Sequence, residues 1–225
     1  MDIYISALKQ AEQLGDKSMM AKSLDSIGYV YSGQGAYDKA LDYHSRSLVI
    51  NQELGDNSGM ANSFHRIGIV YEYKGEIKKA LEYIQKAFEI YEKFGDKKGM
   101  GRTLNGIGIM YYQQFDYDKA LKYYGRALVI TQDIGDKFGI GIILGNMGSE
   151  HMNKGDYNKS LDCYKRALKI NEKLGNKLQV GTILSEIGNV YLYKDDHNKS
   201  KEYLEKSLGV KERIELNKSL LYIKT

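Results

Sequence analysis

Proline and tryptophan are both absent from the 225 residues, and cysteine occurs once. No stretch rich in Gly, Ser or Pro interrupts the chain, so nothing in its composition marks a linker or a domain boundary. Long apolar runs are missing too. No window approaches the roughly 18 apolar residues of a membrane span, and Met1-Asp2-Ile3-Tyr4 has no basic segment of the kind that opens a secretory signal. A chain without membrane contact, located in the cytoplasm, is the expectation. The single Cys163 fits a reducing compartment. Charge of one sign is also scarce: 33 basic and 29 acidic residues leave a net +4, too small and too evenly mixed to indicate a nucleic acid or an anionic membrane.

What the chain does have is a period of forty. Glycine recurs at Gly28, Gly68, Gly108, Gly148 and Gly188, and again at Gly15, Gly55, Gly95, Gly135 and Gly175, without a residue of drift. Eleven of the tyrosines obey the same register. Tyr31, Tyr71, Tyr111 and Tyr191 share one position, Tyr37, Tyr117 and Tyr157 a second, and Tyr43, Tyr83, Tyr123 and Tyr203 a third. They belong to the scaffold. Cys163 stands in the third series, which predicts a packed apolar thiol rather than a nucleophile. Unbroken periodicity of this length is the mark of one supersecondary unit copied about five times, an architecture that binds far more often than it catalyses.

Residues 56–95 show how a unit is built. Met60, Phe64, Ile67 and Tyr71 fall at spacings of four, three and four, along one face of a first helix, helix A. Ile77, Ala80, Leu81, Ile84, Phe88 and Ile90 give the stripe of a second, helix B, which begins beyond Gly75. Gly55 suits the left-handed turn that closes the preceding helix, and Asp56 can accept from the free amides of the next. Asp16, Asp96, Asp136 and Asn176 repeat that cap. The series from Gly28 to Gly188 is expected to let helix A approach Ala40, Ala80, Ala120, Ser160 and Ser200 of helix B. Each glycine inside a helix costs about 0.5–1 kcal/mol relative to alanine, so five copies imply a steric demand. Phe115 and Asp195 replace the turn glycines Gly35, Gly75 and Gly155. Asp195 can tolerate the left-handed conformation, whereas Phe115 is expected to alter its turn, through drift or as an aromatic displayed to a partner.

The stretch LDSIGYVYSGQGAYDKALDYHSRSL, Leu24 to Leu48, resembles the tetratricopeptide repeat. The pattern of a large apolar residue, a glycine, Tyr, Gly-x-Tyr, Ala, an aromatic and Ala-Leu returns in all five copies from Asp16 to Glu215. Two departures stand out. Leu24, Phe64, Leu104, Leu144 and Leu184 replace the usual tryptophan, and six extra residues per unit replace the terminal proline. This longer form is similar to repeats of spindle-orientation adaptors, kinesin light chains, and bacterial peptide-sensing regulators and sensor kinases. The resemblance implies an all-α, right-handed superhelical solenoid of stacked antiparallel hairpins, with helix A lining a concave groove and helix B outside. The expected organisation is one array over residues 1–225: a half-repeat 1–15, repeats 16–55, 56–95, 96–135, 136–175 and 176–215, and an extension 216–225. The apolar Leu220, Leu221, Tyr222 and Ile223 are expected to pack on the last hairpin or to begin a further repeat.

By the same resemblance, groove-facing positions fall on Lys22, Asp25, Ser26 and Tyr29, on Asn62, His65, Arg66 and Ile69, and on Arg102, Asn105 and Ile109. Later copies supply Asn146, Ser149, Ser185, Glu186 and Asn189. These positions vary between copies, giving a groove that is polar and unequal along its length. His65, Arg66 and Arg102 are candidates for a basic patch that takes an acidic side chain or a terminal carboxylate, since the guanidinium fork donates two parallel hydrogen bonds. Asn62, Asn105, Asn146 and Asn189 could bond an extended backbone. The alternative is a solvated inner face with local pairing, such as Arg66 with Glu72 or with a residue of the next repeat. The family's clamp for chaperone tails is not matched: Asp25 and Tyr29 stand where its first lysine and asparagine belong.

On helix B, Lys39, Lys79, Lys119, Lys159 and Lys199 form one basic row, and Arg46, Lys86, Arg126, Arg166 and Lys206 a second. Asp42, Glu82, Asp162 and Glu202 precede the second row by four residues, the favourable order for pairing along a helix, so a self-neutralised face is expected. His44, His65, His151 and His197 occupy four different repeat positions and have no companion at metal-ligand spacing, and no nucleophile–base grouping emerges. The sequence therefore predicts a non-catalytic protein-interaction scaffold without metal or cofactor, binding a peptide or protein segment, acidic in character, in its groove. A regulatory or sensor module of a larger signalling protein is the first alternative. Nucleic-acid binding through the lysine rows is the second. The apolar face of the unpaired half-repeat around Ile3, Ala7 and Leu8 is expected to be covered by further sequence, by the C-terminal tail of another molecule or by self-association.

Overall fold

In the computed structural model the backbone of residues 1–223 and the side chains of residues 1–215 are described. The expectation for Leu220 to Ile223 concerns side chains outside that range. Among the described residues the regular structure is helical throughout: α1 (Asp2–Leu14), α2 (Lys17–Gly33), α3 (Tyr37–Leu54), α4 (Asn57–Tyr73), α5 (Ile77–Phe94), α6 (Lys97–Gln113), α7 (Tyr117–Asp133), α8 (Lys137–Asn153), α9 (Tyr157–Lys173), α10 (Lys177–Tyr193) and α11 (His197–Ile223). The expected all-α fold of antiparallel hairpins is the fold observed. Two compact units divide the chain, residues 1–110 and 111–225. In the first, α2 packs on α3 and α4 on α5. The second holds the hairpins α8–α9 and α10–α11.

The helix ends follow from the chemistry of the capping residues. Asp16, Asp56, Asp96 and Asp136 accept from the amides of Met19, Gly59, Gly99 and Gly139 at 2.9, 3.0, 2.9 and 2.9 Å. Asn176 accepts from Gln179 at 3.4 Å, a weaker cap. At the other ends, Gly55 lies at φ 65° and the next amide, Asp56 N–H, returns to the Asn51 carbonyl at 2.9 Å, so a left-handed residue satisfies carbonyls the helix leaves free.

Phe115 departs from expectation. It keeps the left-handed turn, at φ 60°, as does Asp195 at φ 56°. The amides of Phe115 and Asp116 reach the Tyr112 and Tyr111 carbonyls at 2.8 and 3.0 Å, the same closure that Gly75 and Glu76 make. Two backbone hydrogen bonds thus hold an unfavourable φ, and the Phe115 side chain is 78% exposed.

The helical glycines are sites of close approach, but the neighbour lies one turn beyond the small residues expected. A Cβ on Gly28 would lie 2.8 Å from the His44 ring, on Gly68 2.6 Å from Ile84, on Gly148 2.7 Å from Tyr164, and on Gly188 2.8 Å from Leu204. The carbonyls of Ala80 and Ser200 follow at 3.2 and 3.3 Å. Ala40, Ala80 and Ala120 are fully buried and Ser160 donates to the Gly148 carbonyl at 2.8 Å. The tyrosine series stack within their hairpins: Tyr31 on Tyr43, Tyr71 on Tyr83 and Tyr111 on Tyr123 at 5.4 Å, Tyr191 on Tyr203 at 5.5 Å. Cys163 is buried among Leu161, Tyr164 and Tyr191, and burial raises the pKa of its thiol above the ordinary value. It is the packed residue its position predicted.

Candidate functional site

Every groove position expected from the sequence stands at least partly open to solvent, with Lys22, Tyr29 and Arg102 exposed and the others half-buried. In the first unit the structure gathers several of them on the face shared by α2, α4 and the first residues of α6. Arg102 Nη2 donates to Asn62 Oδ1 at 3.3 Å and to the Tyr91 hydroxyl at 3.4 Å, and Tyr91 donates to the same Asn62 oxygen at 2.8 Å. The Arg102 guanidinium lies 6.0 Å from the centre of the Tyr91 ring. Arg66 lies 4.8 Å over the Tyr29 ring with its Nε 3.7 Å from Asp25 Oδ2. The local pairing considered for Arg66 is real, but its partner is Asp25 of the preceding repeat.

Asp25 is itself fixed from below. Its Oδ1 lies 2.7 Å from Nδ1 of His44, a residue only 1% exposed. His44 was assigned no role from sequence. The available signal was its company: Ile84, Tyr124, Tyr164 and Leu204 hold the same position in other copies, so a histidine there is a polar residue in an apolar column.

His65 corrects the basic patch. Burial foremost, then the charges of Arg102 and Arg66, push its pKa down to about 3, against which Asp25 acts weakly. Its Nδ1 is buried without a hydrogen-bond partner. The imidazole is therefore neutral, and the positive charge of the expected His65–Arg66–Arg102 patch comes from its two arginines.

Below this face lies a recess of about 410 Å³, whose wall includes Ser18, Lys22, Asp25, Asn62 and Arg66, with Ser47, Asn51 and Ser63 at its floor. Those last three are buried and bonded together: Ser47 donates to the Ala21 carbonyl at 2.9 Å, and Asn51 donates to Ser47 and Ser63 at 3.4 and 3.3 Å. Helix B thus contributes to the site, which the sequence reading had confined to helix A.

The second unit differs. Ser149 and the Tyr164 hydroxyl are 2.8 Å apart, and burial raises the Tyr164 pKa. Among the described residues, no hydrogen bond or ion pair joins Ser185, Glu186 and Asn189 to one another. At the positions where the first unit carries Ser18 and Lys22, or Ser58 and Asn62, the second exposes Phe138, Ile142 and Leu178, at 56, 40 and 64%. A polar groove was expected along the whole chain; in this unit three exposed apolar side chains join the polar Asn146, Ser149, Ser185, Glu186 and Asn189.

The lysine rows on helix B are engaged. Lys79, Lys119 and Lys199 lie 2.6, 2.7 and 2.7 Å from Glu76, Asp116 and Asp196, three residues before each. In the second row Arg46, Arg166 and Lys206 pair with Asp42, Asp162 and Glu202 at 3.8, 3.2 and 2.5 Å. Among the described residues no group of three His, Cys, Asp or Glu is placed to hold a metal ion, and no helix is long and apolar enough to cross a membrane.

The tetratricopeptide repeat family model matches residues 19–93, 59–133 and 139–213, which together cover most of the chain. The chain belongs to the tetratricopeptide repeat family. No curated protein sequence matches it. Among solved structures it is similar to BtubC (BKLC) from P. vanneervenii, with 17% identity over 95% of this chain and 90% of that one and a TM-score of 0.85. It also resembles aspartyl phosphate phosphatase F from Bacillus subtilis, at 15% identity, 93 and 64% coverage and a TM-score of 0.76. NprR in complex with its cognate peptide NprX matches at 18% identity, 92 and 61% coverage and a TM-score of 0.66. At these identities the likeness is one of fold. The chain spans less than two thirds of the last two proteins.

Proposed function

We propose that this tetratricopeptide repeat array is a non-catalytic interaction module that holds an extended peptide segment against the α2–α4–α6 face, with an acidic group of the peptide at Arg66 and Arg102. The observation that carries the reading is the bracing of these two arginines. Each lies against a tyrosine ring, and Arg102 is further held by Asn62, so both charges are presented on ordered side chains. Preorganised side chains lose less entropy on binding, and a few such anchors decide affinity more than total area does. NprR, which shares the fold, binds a peptide. That likeness supports the class of ligand and nothing finer.

The test is a random peptide library panned on the protein, followed by affinity measurement on the charge-reversed variant Arg66→Glu/Arg102→Glu. Enriched peptides should carry Asp, Glu or a free C-terminus and lose at least about tenfold in affinity, since a charge-assisted hydrogen bond contributes roughly 1.5–3 kcal/mol. Undiminished binding by the double variant would refute the assignment of the two arginines.

A further inference from the structure

We infer that the recess between α2 and α4 is a pocket for a tyrosine side chain of the bound peptide. The inference rests on the reading of this face as a peptide surface. Its evidence is a comparison of two successive junctions within the first unit.

At the junction of α4, α5 and α6, Tyr91 of helix B lies flat on Gly99, where an added Cβ would come within 2.3 Å of the ring. The ring extends from there to the open face, and its hydroxyl meets Asn62 and Arg102. One repeat earlier the surroundings are the same in kind. Gly59 stands for Gly99, Ala21 for Ala61, and Ser63 for Thr103. The tyrosine, however, is replaced by Asn51. Its amide lies on Gly59 as the Tyr91 ring lies on Gly99, with a Cβ there only 2.5 Å from the Asn51 Cγ. An asparagine ends where the outer half of a phenol ring would continue. The recess of about 410 Å³ opens there.

Its chemistry narrows the occupant. Two cations, Lys22 and Arg66, and two carboxylates, Asp25 and Asp56, border it, so a group of either charge meets repulsion as well as attraction. Both carboxylates are already in use: Asp25 is held by His44 and Arg66, and Asp56 caps α4 through the Gly59 amide. An ammonium group would therefore have to share either carboxylate with the groups that already hold it. The floor is formed by the Asn51 amide and two serine hydroxyls, joined by hydrogen bonds of 3.3–3.4 Å that are long enough to be exchanged. Such a floor leaves a purely apolar ring unmatched, whereas a phenol hydroxyl can both donate to and accept from the asparagine amide. A neutral ring with a polar tip satisfies shape and chemistry together.

The probe is N-acetyl-L-tyrosine amide, titrated into the 15N-labelled full chain and followed by NMR. Shifts should concentrate at Gly59, Ser63 and the Asn51 side-chain amide, and the phenylalanine and glutamine analogues should bind several-fold more weakly. Absence of those shifts, or equal binding of either analogue, overturns the inference. Asn51→Tyr fills the recess with a side chain that the next junction already accommodates, and should abolish the shifts. Asn51→Ala serves as the second variant, and should narrow the preference for the tyrosine over the phenylalanine amide because the hydroxyl has lost the asparagine amide and keeps only the serine hydroxyls; an unchanged preference counts against the pocket. The peptide panning separates this inference from the reading beneath it. Enriched peptides that contain tyrosine and weaken at least tenfold on Asn51→Tyr support the pocket. Peptides that bind Asn51→Tyr as tightly overturn the pocket and leave the peptide face standing. A library that yields no binder, with the tyrosine amide still bound at Gly59, overturns the peptide reading alone.

Discussion

Glu150 of α8 offers the most direct check on the packing argument. It stands in the column of Val70, Met110 and Val190, all fully buried, and is itself 1% exposed. Its Oε2 has no hydrogen-bond partner, and burial alone raises its pKa from 4.5 to about 7. A carboxyl with a raised folded pKa binds its proton more tightly in the folded state than in the unfolded one. Its contribution is therefore most favourable below the unfolded value of 4.5 and is lost as pH rises through about 7. At about 1.4 kcal/mol per unit the loss is on the order of 3 kcal/mol by pH 8.5. Glu150→Gln removes the titration while keeping the shape. The quantity to measure is the effect of this substitution at pH 8.5 minus its effect at pH 5. Any constant cost of the buried amide cancels in that difference, as does the opposite acid sensitivity of His65, which is held neutral in the fold and must charge as it unfolds in acid. Thermal melts of wild type and variant at both pH values should separate by roughly 6–12 °C more at pH 8.5 than at pH 5, at about 2–4 °C per kcal/mol for a chain of this length. Because repeat arrays can open unit by unit, amide exchange along α8 should show the same pH-dependent protection. An equal displacement at both pH values would show that Glu150 keeps its charge in the fold, and would refute the reasoning from burial.

Two substitutions test the turn and the helix contact. Phe115→Gly relieves a left-handed φ of 60° at a side chain that is 78% exposed, so the variant should gain about 1 kcal/mol in chemical unfolding; no gain would mean that the Phe115–Tyr117 ring contact at 6.4 Å offsets the strain. Gly148→Ala drives a methyl to within 2.7 Å of Tyr164 and displaces the ring that meets Ser149, so the urea midpoint should fall by the equivalent of about 1–3 kcal/mol; an unchanged midpoint would show that the ring moves freely.

The fold was legible because its causes are local and repeated. Asp56 and Gly59 lie three residues apart, Gly55 precedes them, and the same cap and turn recur at each fortieth residue, so one correct reading serves five times. Phe115 was misjudged because local propensity opposed a turn that two backbone hydrogen bonds enforce. The site was less legible for a geometric reason. Tyr91 and Asn51 belong to helix B, assigned to the outer face, yet their side chains emerge between successive A helices. The signal was present in the column itself: Asn51, Tyr91, Thr131 and Asn171 are all polar where helix B is otherwise apolar on its inner side, and all four are buried. Glu150 and His44 were overlooked in the same way, as polar members of apolar columns. The apolar trio Phe138, Ile142 and Leu178 was not legible because single exposed apolar residues are common on any protein surface and carry no signal of their own in one sequence.

The two arginines at the face are not equivalent, and the reason lies in what already holds them. Arg66 has a carboxylate, Asp25, at 3.7 Å, and Asp25 is anchored to buried His44. A ligand carboxylate arriving at Arg66 must share that charge with a fixed competitor of the same sign. Arg102 is held by an amide oxygen and a hydroxyl, both neutral, so its attraction for an incoming anion is not divided. The neutral state of His65 sharpens the contrast, since its imidazole adds no positive charge to offset Asp25. Of the loss expected in the double charge reversal, the larger share therefore belongs to Arg102. Reversal at Arg66 carries a structural consequence as well, because Arg66→Glu sets a carboxylate beside Asp25, where like charges at about 4 Å repel by roughly 1–4 kcal/mol at the dielectric of a protein surface. The single Arg102 variant is thus the cleaner measure of ligand charge, and the Arg66 variant reports in part on the Asp25–His44 anchor.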